Sequence, residues 1–118
     1  YDRLSISRGL SLERLKQYFD KVEDDTWRAK PSIKSRVNFR SLNLQNSFAS
    51  LSRFDIIFCR NVLIYFSADL KKDILTRMHA QLRPGGILFL GSSESLGGAS
   101  GLFEMVHCNP GVMYRAKK

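Results

Sequence analysis

Residues 54–66, FDIIFCRNVLIYF, run from an apolar stretch into Cys59, Arg60 and Asn61, and then return to apolar residues that carry Tyr65. Arg60 and Asn61 directly after so apolar a strand are more polar than a hydrophobic core requires. The Asn61 amide offers both a donor and an acceptor, which suits a bound nucleotide. A strand-end cap beside a surface arginine would leave the same pattern, and the residues alone keep both readings open. Tyr65 lies among Val62, Leu63, Ile64 and Phe66, so its ring reads as core with the hydroxyl reaching water.

Other chemistry finds little support. His79 and His107 stand apart, with no second ligand at metal spacing, so no metal site is expected. Ser92, Ser93 and Ser95 lack a paired base and a nucleophile-elbow sequence. Neither common glycine-rich phosphate loop occurs. Cys59 and Cys108 lack a closely spaced Cys/His set and read as free thiols of a cytoplasmic protein.

The elements that would hold Cys59, Arg60 and Asn61 follow from periodicity. The run Ile56, Ile57, Phe58 is the pattern of a strand covered on both faces of a parallel sheet. Ser67 can cap a helix on which Leu70, Ile74, Met78 and Leu82 recur every four residues, with Lys71, Lys72 and Arg77 facing water and Pro84-Gly85-Gly86 ending it. Residues 87–90 form a second buried strand that runs into the small polar loop GSSES. Residues 103–106 and 112–114 are two closing strands, reached through a flexible loop at residues 97–101. Upstream, Ser11 begins a short amphipathic helix over residues 11–19. Residues 20–36, broken by Pro31, form a small hairpin-like excursion with Trp27 and Ile33 in extended stretches, and the alternation of Val37 and Phe39 predicts a short strand. The result is an α/β unit with a mainly parallel sheet. Ligands of such sheets bind beyond the carboxyl ends of the strands, here residues 41–44, 59–65 and 91–95.

The 118 residues carry a formal net charge of +8, which suits an acidic partner of some kind. The cations are spread from Arg3 to Lys118, with no run of five or six and no interleaved aromatic ladder, which argues against nucleic acid. No stretch of about 18 uncharged apolar residues and no leader-like segment occurs, so neither membrane insertion nor export is expected.

FDIIFCRNVLIYF followed by a helix, then LRPGGILFLGSSES and a closing GVMYR, closely resembles the chemotaxis receptor methyltransferases of the CheR type, and the resemblance covers nearly the whole chain. YDRLSISRGL and ERLKQYF resemble the family's entry into its middle region, and VNFRSLNL its third strand and following turn. The resemblance implies a Rossmann-like class I S-adenosylmethionine-dependent methyltransferase fold, with a mostly parallel sheet, helices on both faces and a closing antiparallel strand. It implies that Asn43 and Leu44 border the adenosine, that Cys59, Arg60 and Asn61 line the cofactor pocket, and that Tyr65 lies near the transferred methyl, which reverses the reading of Tyr65 as core. The implied reaction methylates glutamate carboxylates on the cytoplasmic helices of methyl-accepting chemoreceptors. A glutamate-rich helix also suits the positive charge.

Residues 1–118 resemble the C-terminal portion of the catalytic domain. The family's N-terminal helical domain, first strand, cofactor loop and acidic ribose ligand lie upstream of the matched region. A gap in the sheet is therefore expected between residues 37–39 and 55–59, and no cofactor binding by these residues alone. Residues 20–36 resemble a subdomain that captures a receptor's C-terminal peptide by strand addition. Glu23, Asp24 and Asp25, with no glycines, argue against such tethering here. Two other readings are a non-catalytic regulatory or peptide-binding module on the same fold, which the intact Arg60, Asn61 and Tyr65 disfavour, and a nucleic-acid amine methyltransferase. The latter resembles Asn/Asp-Pro-Pro-aromatic where this chain has Asn-Val-Leu-Ile-Tyr.

Overall fold

Short polar side chains start the first elements. The computed structural model describes residues 1–118, which divide into two units, residues 1–41 and residues 42–118. In the first unit Asp2 caps α1 (Arg3–Ser7) by accepting from the Ser5 N–H at 2.7 Å, and Ser11 caps α2 (Leu12–Tyr18) by accepting from the Arg14 N–H at 3.2 Å. The excursion is an antiparallel hairpin of β1 (Phe19–Glu23) and β2 (Thr26–Ala29), with Asp25 at φ +60° in the turn. Ile33 is not extended. Pro31 has its φ preset for a first helical turn and opens α3 (Pro31–Lys34) around it.

The second unit is built on β3 (Phe54–Cys59), α4 (Ala68–Gln81), β4 (Leu82–Leu90), β5 (Phe103–His107) and β6 (Val112–Ala116). Ser67 caps α4, its hydroxyl accepting from the Leu70 N–H. The helix buries Ile74, Leu75 and Met78 against Leu88 and Leu90 of β4, Tyr114 and Ala116 of β6, and Phe103 of β5. The order across the sheet is β3-β4-β6-β5. β3 and β4 pair in parallel, and the other two pairings are antiparallel. The sheet is therefore mixed, not mainly parallel.

Four further expectations need correction. Residues 37–39 form no strand, and Phe39 is 94% exposed. Alternation supplies the side-chain pattern, but a strand also needs a neighbour's amides and carbonyls, and none pairs there. Secondly, β3 is covered on one face only. Cys59 and Ile57 pack on the core, while Ile56 and Phe58 (72% exposed) lie on an open face where Phe58 stacks on Phe89 at 4.9 Å. Helices on both faces are thus not observed, because α4 is the one long helix and it packs on the core side. Thirdly, the Pro-Gly-Gly segment does not end α4. The helix stops at Gln81, and Pro84-Gly85-Gly86 forms an irregularity inside β4, between the pairs Phe54↔Leu82 and Ile56↔Ile87, with Gly85 at φ +79°. Lastly, the glycine-rich loop is a 3-10 helix, Gly97–Leu102, that buries Ala99.

Leu88 is fully buried, so Leu88→Ala is expected to destabilise the chain by about 3 kcal/mol in urea unfolding, whereas Phe58→Ala on the open face should cost roughly 1 kcal/mol or less.

Candidate functional site

At the carboxyl end of β3 the chain turns sharply through Arg60 and Asn61, the latter at φ +60°, a left-handed conformation that asparagine tolerates better than most residues. It then enters a 3-10 turn, Leu63–Tyr65. What holds this turn is Glu94, on the loop that follows β4. The Glu94 carboxylate is 6% exposed. It accepts from the Asn61 N–H at 2.6 Å, the Gly91 N–H at 2.8 Å and the Leu63 N–H at 2.9 Å. Two loops that are distant in sequence are joined through one side chain. Gly91 lets them meet, because a Cβ there would overlap Asn61 Oδ1 and lie 2.7 Å from Glu94 Oε1. Burial by itself would push the Glu94 carboxyl up. The amides of Asn61, Gly91, Leu63 and Ile64 outweigh it and hold the group below the ordinary carboxylate range.

Beside this junction lies a cleft of about 540 Å³, lined among others by Phe58, Arg60, Phe89, Ser92, Glu94 and Tyr114. Glu94 is its one carboxylate and is committed to backbone amides. Arg60 forms no ion pair with any acidic side chain of the protein, so its guanidinium is available at the cleft wall.

The residues singled out in the sequence are distributed as follows. Arg60 lines the cleft, and Asn61 adjoins it through Glu94. Cys59 is buried in the core, its thiol pushed up by burial and, secondly, by the Glu94 charge. Tyr65 is 80% exposed, so the reading of its ring as core is overturned: the 3-10 turn points it outward while Leu63 turns in. Asn43 is exposed, its Oδ1 accepting from the Gln45 N–H at 2.9 Å. Leu44 lines a separate apolar hollow of about 250 Å³ with Phe48, Ile57 and Met78. Of the predicted site residues Arg60 alone lines the cleft; Asn43, Leu44, Cys59, Asn61 and Tyr65 are not part of its lining.

Two positioning side chains escaped the sequence reading. Glu94 sits in GSSES among three serines, where one acid in a small polar loop after an apolar strand was the available signal. Arg77, expected to face water, instead donates to the carbonyls of Leu44 (2.6 Å) and Asn46, pairs with Asp73 at 3.0 Å and lies 4.6 Å above the Phe48 ring. Helical spacing put it on the polar face, and nothing local announced its contacts. His79 has a structural part as well, with Nε2 2.7 Å from the Lys117 carbonyl and the ring edge-on to Phe103.

A strand-helix-strand unit with a cleft at the carboxyl ends of two parallel strands belongs to the ligand-binding α/β class. Residues 1–112 match the family described as CheR methyltransferase, SAM binding domain, and the chain belongs to that family. It is 61% identical over 117 residues to the chemotaxis protein methyltransferase Cher2 of Pseudomonas putida, covering 99% of this chain and 42% of that protein. It is 58% identical to chemotaxis protein methyltransferase 1 of Pseudomonas aeruginosa, again over 99% of this chain and 43% of that protein. The chemotaxis protein methyltransferase of Salmonella typhimurium is 38% identical over 97 residues, 79% of this chain and 34% of that protein. The chain thus spans about two fifths of the length of the Pseudomonas relatives.

Because folding lowers the Glu94 pKa, its stabilising contribution is complete above the unfolded value of about 4.3 and is lost as pH falls through the folded value. Glu94→Gln is expected to destabilise the chain by about 2–4 kcal/mol at pH 7, with the difference from wild type shrinking as urea midpoints are followed below pH 4. In thiol titration the exposed Cys108 is expected to react in the folded chain, and the buried Cys59 only after unfolding.

Proposed function

We propose that this chain forms part of an enzyme that transfers a methyl group from S-adenosylmethionine to glutamate side-chain carboxylates of chemoreceptors, producing glutamate methyl esters. The match of residues 1–112 to the SAM-binding family carries the reading, and the cleft at the ends of β3 and β4, with Arg60 and Ser92 on its wall, supports it. On this reading the unit is part of a Rossmann-like class I methyltransferase fold, and the enzyme acts in the cytoplasm, where the substrate helices lie. No helix of the chain is long and apolar enough to cross a membrane.

The donor set fits the charged and polar parts of the cofactor. On the cleft wall Arg60 offers an unpaired cation to a carboxylate and Ser92 a hydroxyl, and Asn61, beside the wall through Glu94, has a donor and an acceptor. A carboxylate for ribose hydroxyls is not offered here, because Glu94 is taken by amides. Asn43 and Leu44 are proposed to border the adenosine, on a loop that Arg77 holds through the Leu44 carbonyl. Cys59, buried and protonated, serves as apolar wall and not as a nucleophile.

When bound, the sulfonium of the cofactor supplies an activated methyl and its own leaving group. A substrate carboxylate is already ionised at neutral pH, so the chain need not supply a base. Its residues act by orientation, since in-line alignment within a water-poor site is worth a large part of such a barrier. Tyr65, exposed on its 3-10 turn, is proposed to orient the acceptor and not to deprotonate it.

With the full-length protein, radiolabelled S-adenosylmethionine and receptor-containing membranes, base-labile label released as methanol is expected, lost in Asn61→Ala and reduced about tenfold or more in Tyr65→Phe. No label despite cofactor binding would favour the regulatory module instead.

A further inference from the structure

We propose that Glu94 is a positioning residue for methyl transfer, acting through Asn61; the proposal rests on the function inferred above. Both oxygens are engaged: Oε1 accepts from the amides of Asn61 and Gly91, and Oε2 from that of Leu63. The first and third of these amides belong to the turn that carries Arg60, Asn61 and Tyr65, and the second to the loop that carries Ser92. One buried side chain therefore sets the spacing of the two loops beside the cleft.

The choice of residue follows from the donors. Three N–H groups converge on one point, and a carboxylate is the side chain that only accepts. A glutamine of the same shape would turn an NH₂ group toward at least one of them. An alanine would leave the Leu63 amide buried without a partner. Asn61 is held at φ +60° by the hydrogen bond its own N–H donates, so loss of that bond frees the residue to leave the left-handed region and carries its side-chain amide away from the ligand. Gly91 completes the device, since any Cβ would intrude between Asn61 and Glu94. Glu94 need not touch cofactor or substrate. It fixes the residues that do.

The test uses the full-length protein with S-adenosylhomocysteine as the calorimetric probe and radiolabelled methyl transfer as the kinetic one. Glu94→Gln is expected to weaken the affinity of the folded protein about tenfold or more and to lower kcat to a similar degree, while far-ultraviolet circular dichroism is unchanged. Combined with Asn61→Ala, the double variant should be little worse than the poorer single one, because both remove the same placement. Gly91→Ala, which disturbs the junction from the other loop, should reproduce the loss and serves as the second variant if Glu94→Gln does not fold. Affinity and kcat within about twofold of wild type in folded Glu94→Gln or Gly91→Ala, with only the melting temperature reduced, would overturn the proposal, as would full additivity with Asn61→Ala. A wild-type protein that binds no cofactor and transfers no methyl would instead sink the functional reading, and this inference with it.

Discussion

The convergence of three backbone amides on the Glu94 carboxylate is the constraint on which the candidate site depends. The end of a parallel strand is where a chain runs out of ladder partners, and the N–H groups beyond it must be satisfied by something other than the sheet. Here the partner is a charged acceptor placed where water is largely excluded, so each bond is stronger than a neutral one would be. The desolvation that disfavours a buried carboxylate is offset by the same bonds, and the lowered pKa of Glu94 is the signature of that balance. A polar loop thereby gains a fixed shape without a packed core of its own.

The rest of the second unit supplies the frame. α4 buries one side of the sheet through Ile74, Leu75 and Met78, and Leu63, pinned by Glu94, inserts into the same core. The turn carrying Tyr65 is thus anchored twice, once by an apolar side chain and once by its amide. Arg77 performs a comparable service on the other flank, where it binds two loop carbonyls while its guanidinium lies over Phe48. Its planar fork of donors suits two carbonyls at once, which a lysine could not match. In both places a charged side chain orders a loop whose own side chains remain free to meet a ligand, the division of labour expected of a binding site carried on a rigid scaffold.

The other face of the sheet is the least resolved by its own sequence. Ile56 and Phe58 have the composition of a two-sided buried strand, yet they lie open, with Phe58 stacked on Phe89. Val37 and Phe39 have the alternation of a strand without a partner. Hydrophobic pattern records how a segment can be buried, while actual burial depends on which other segments arrive.

What the sequence determined by itself is therefore the local order. Caps at Ser11 and Ser67, four-residue apolar spacing along α4, and apolar runs for β3 and β4 all specify elements through interactions a few residues apart, and those elements form. The prominence of Arg60 and Asn61 was also legible, because polarity at the end of an apolar strand is a local contradiction. Tertiary structure alone decided the parts that depend on distant partners: that the sheet is mixed, that one face of β3 is bare, that Tyr65 points outward, that Arg77 turns inward, and that the acid in GSSES reaches back about thirty residues to organise the turn after β3. The physical reason is common to all of them. Periodicity and capping are encoded in neighbours, whereas pairing, coverage and the partner of a buried charge are properties of the assembled chain.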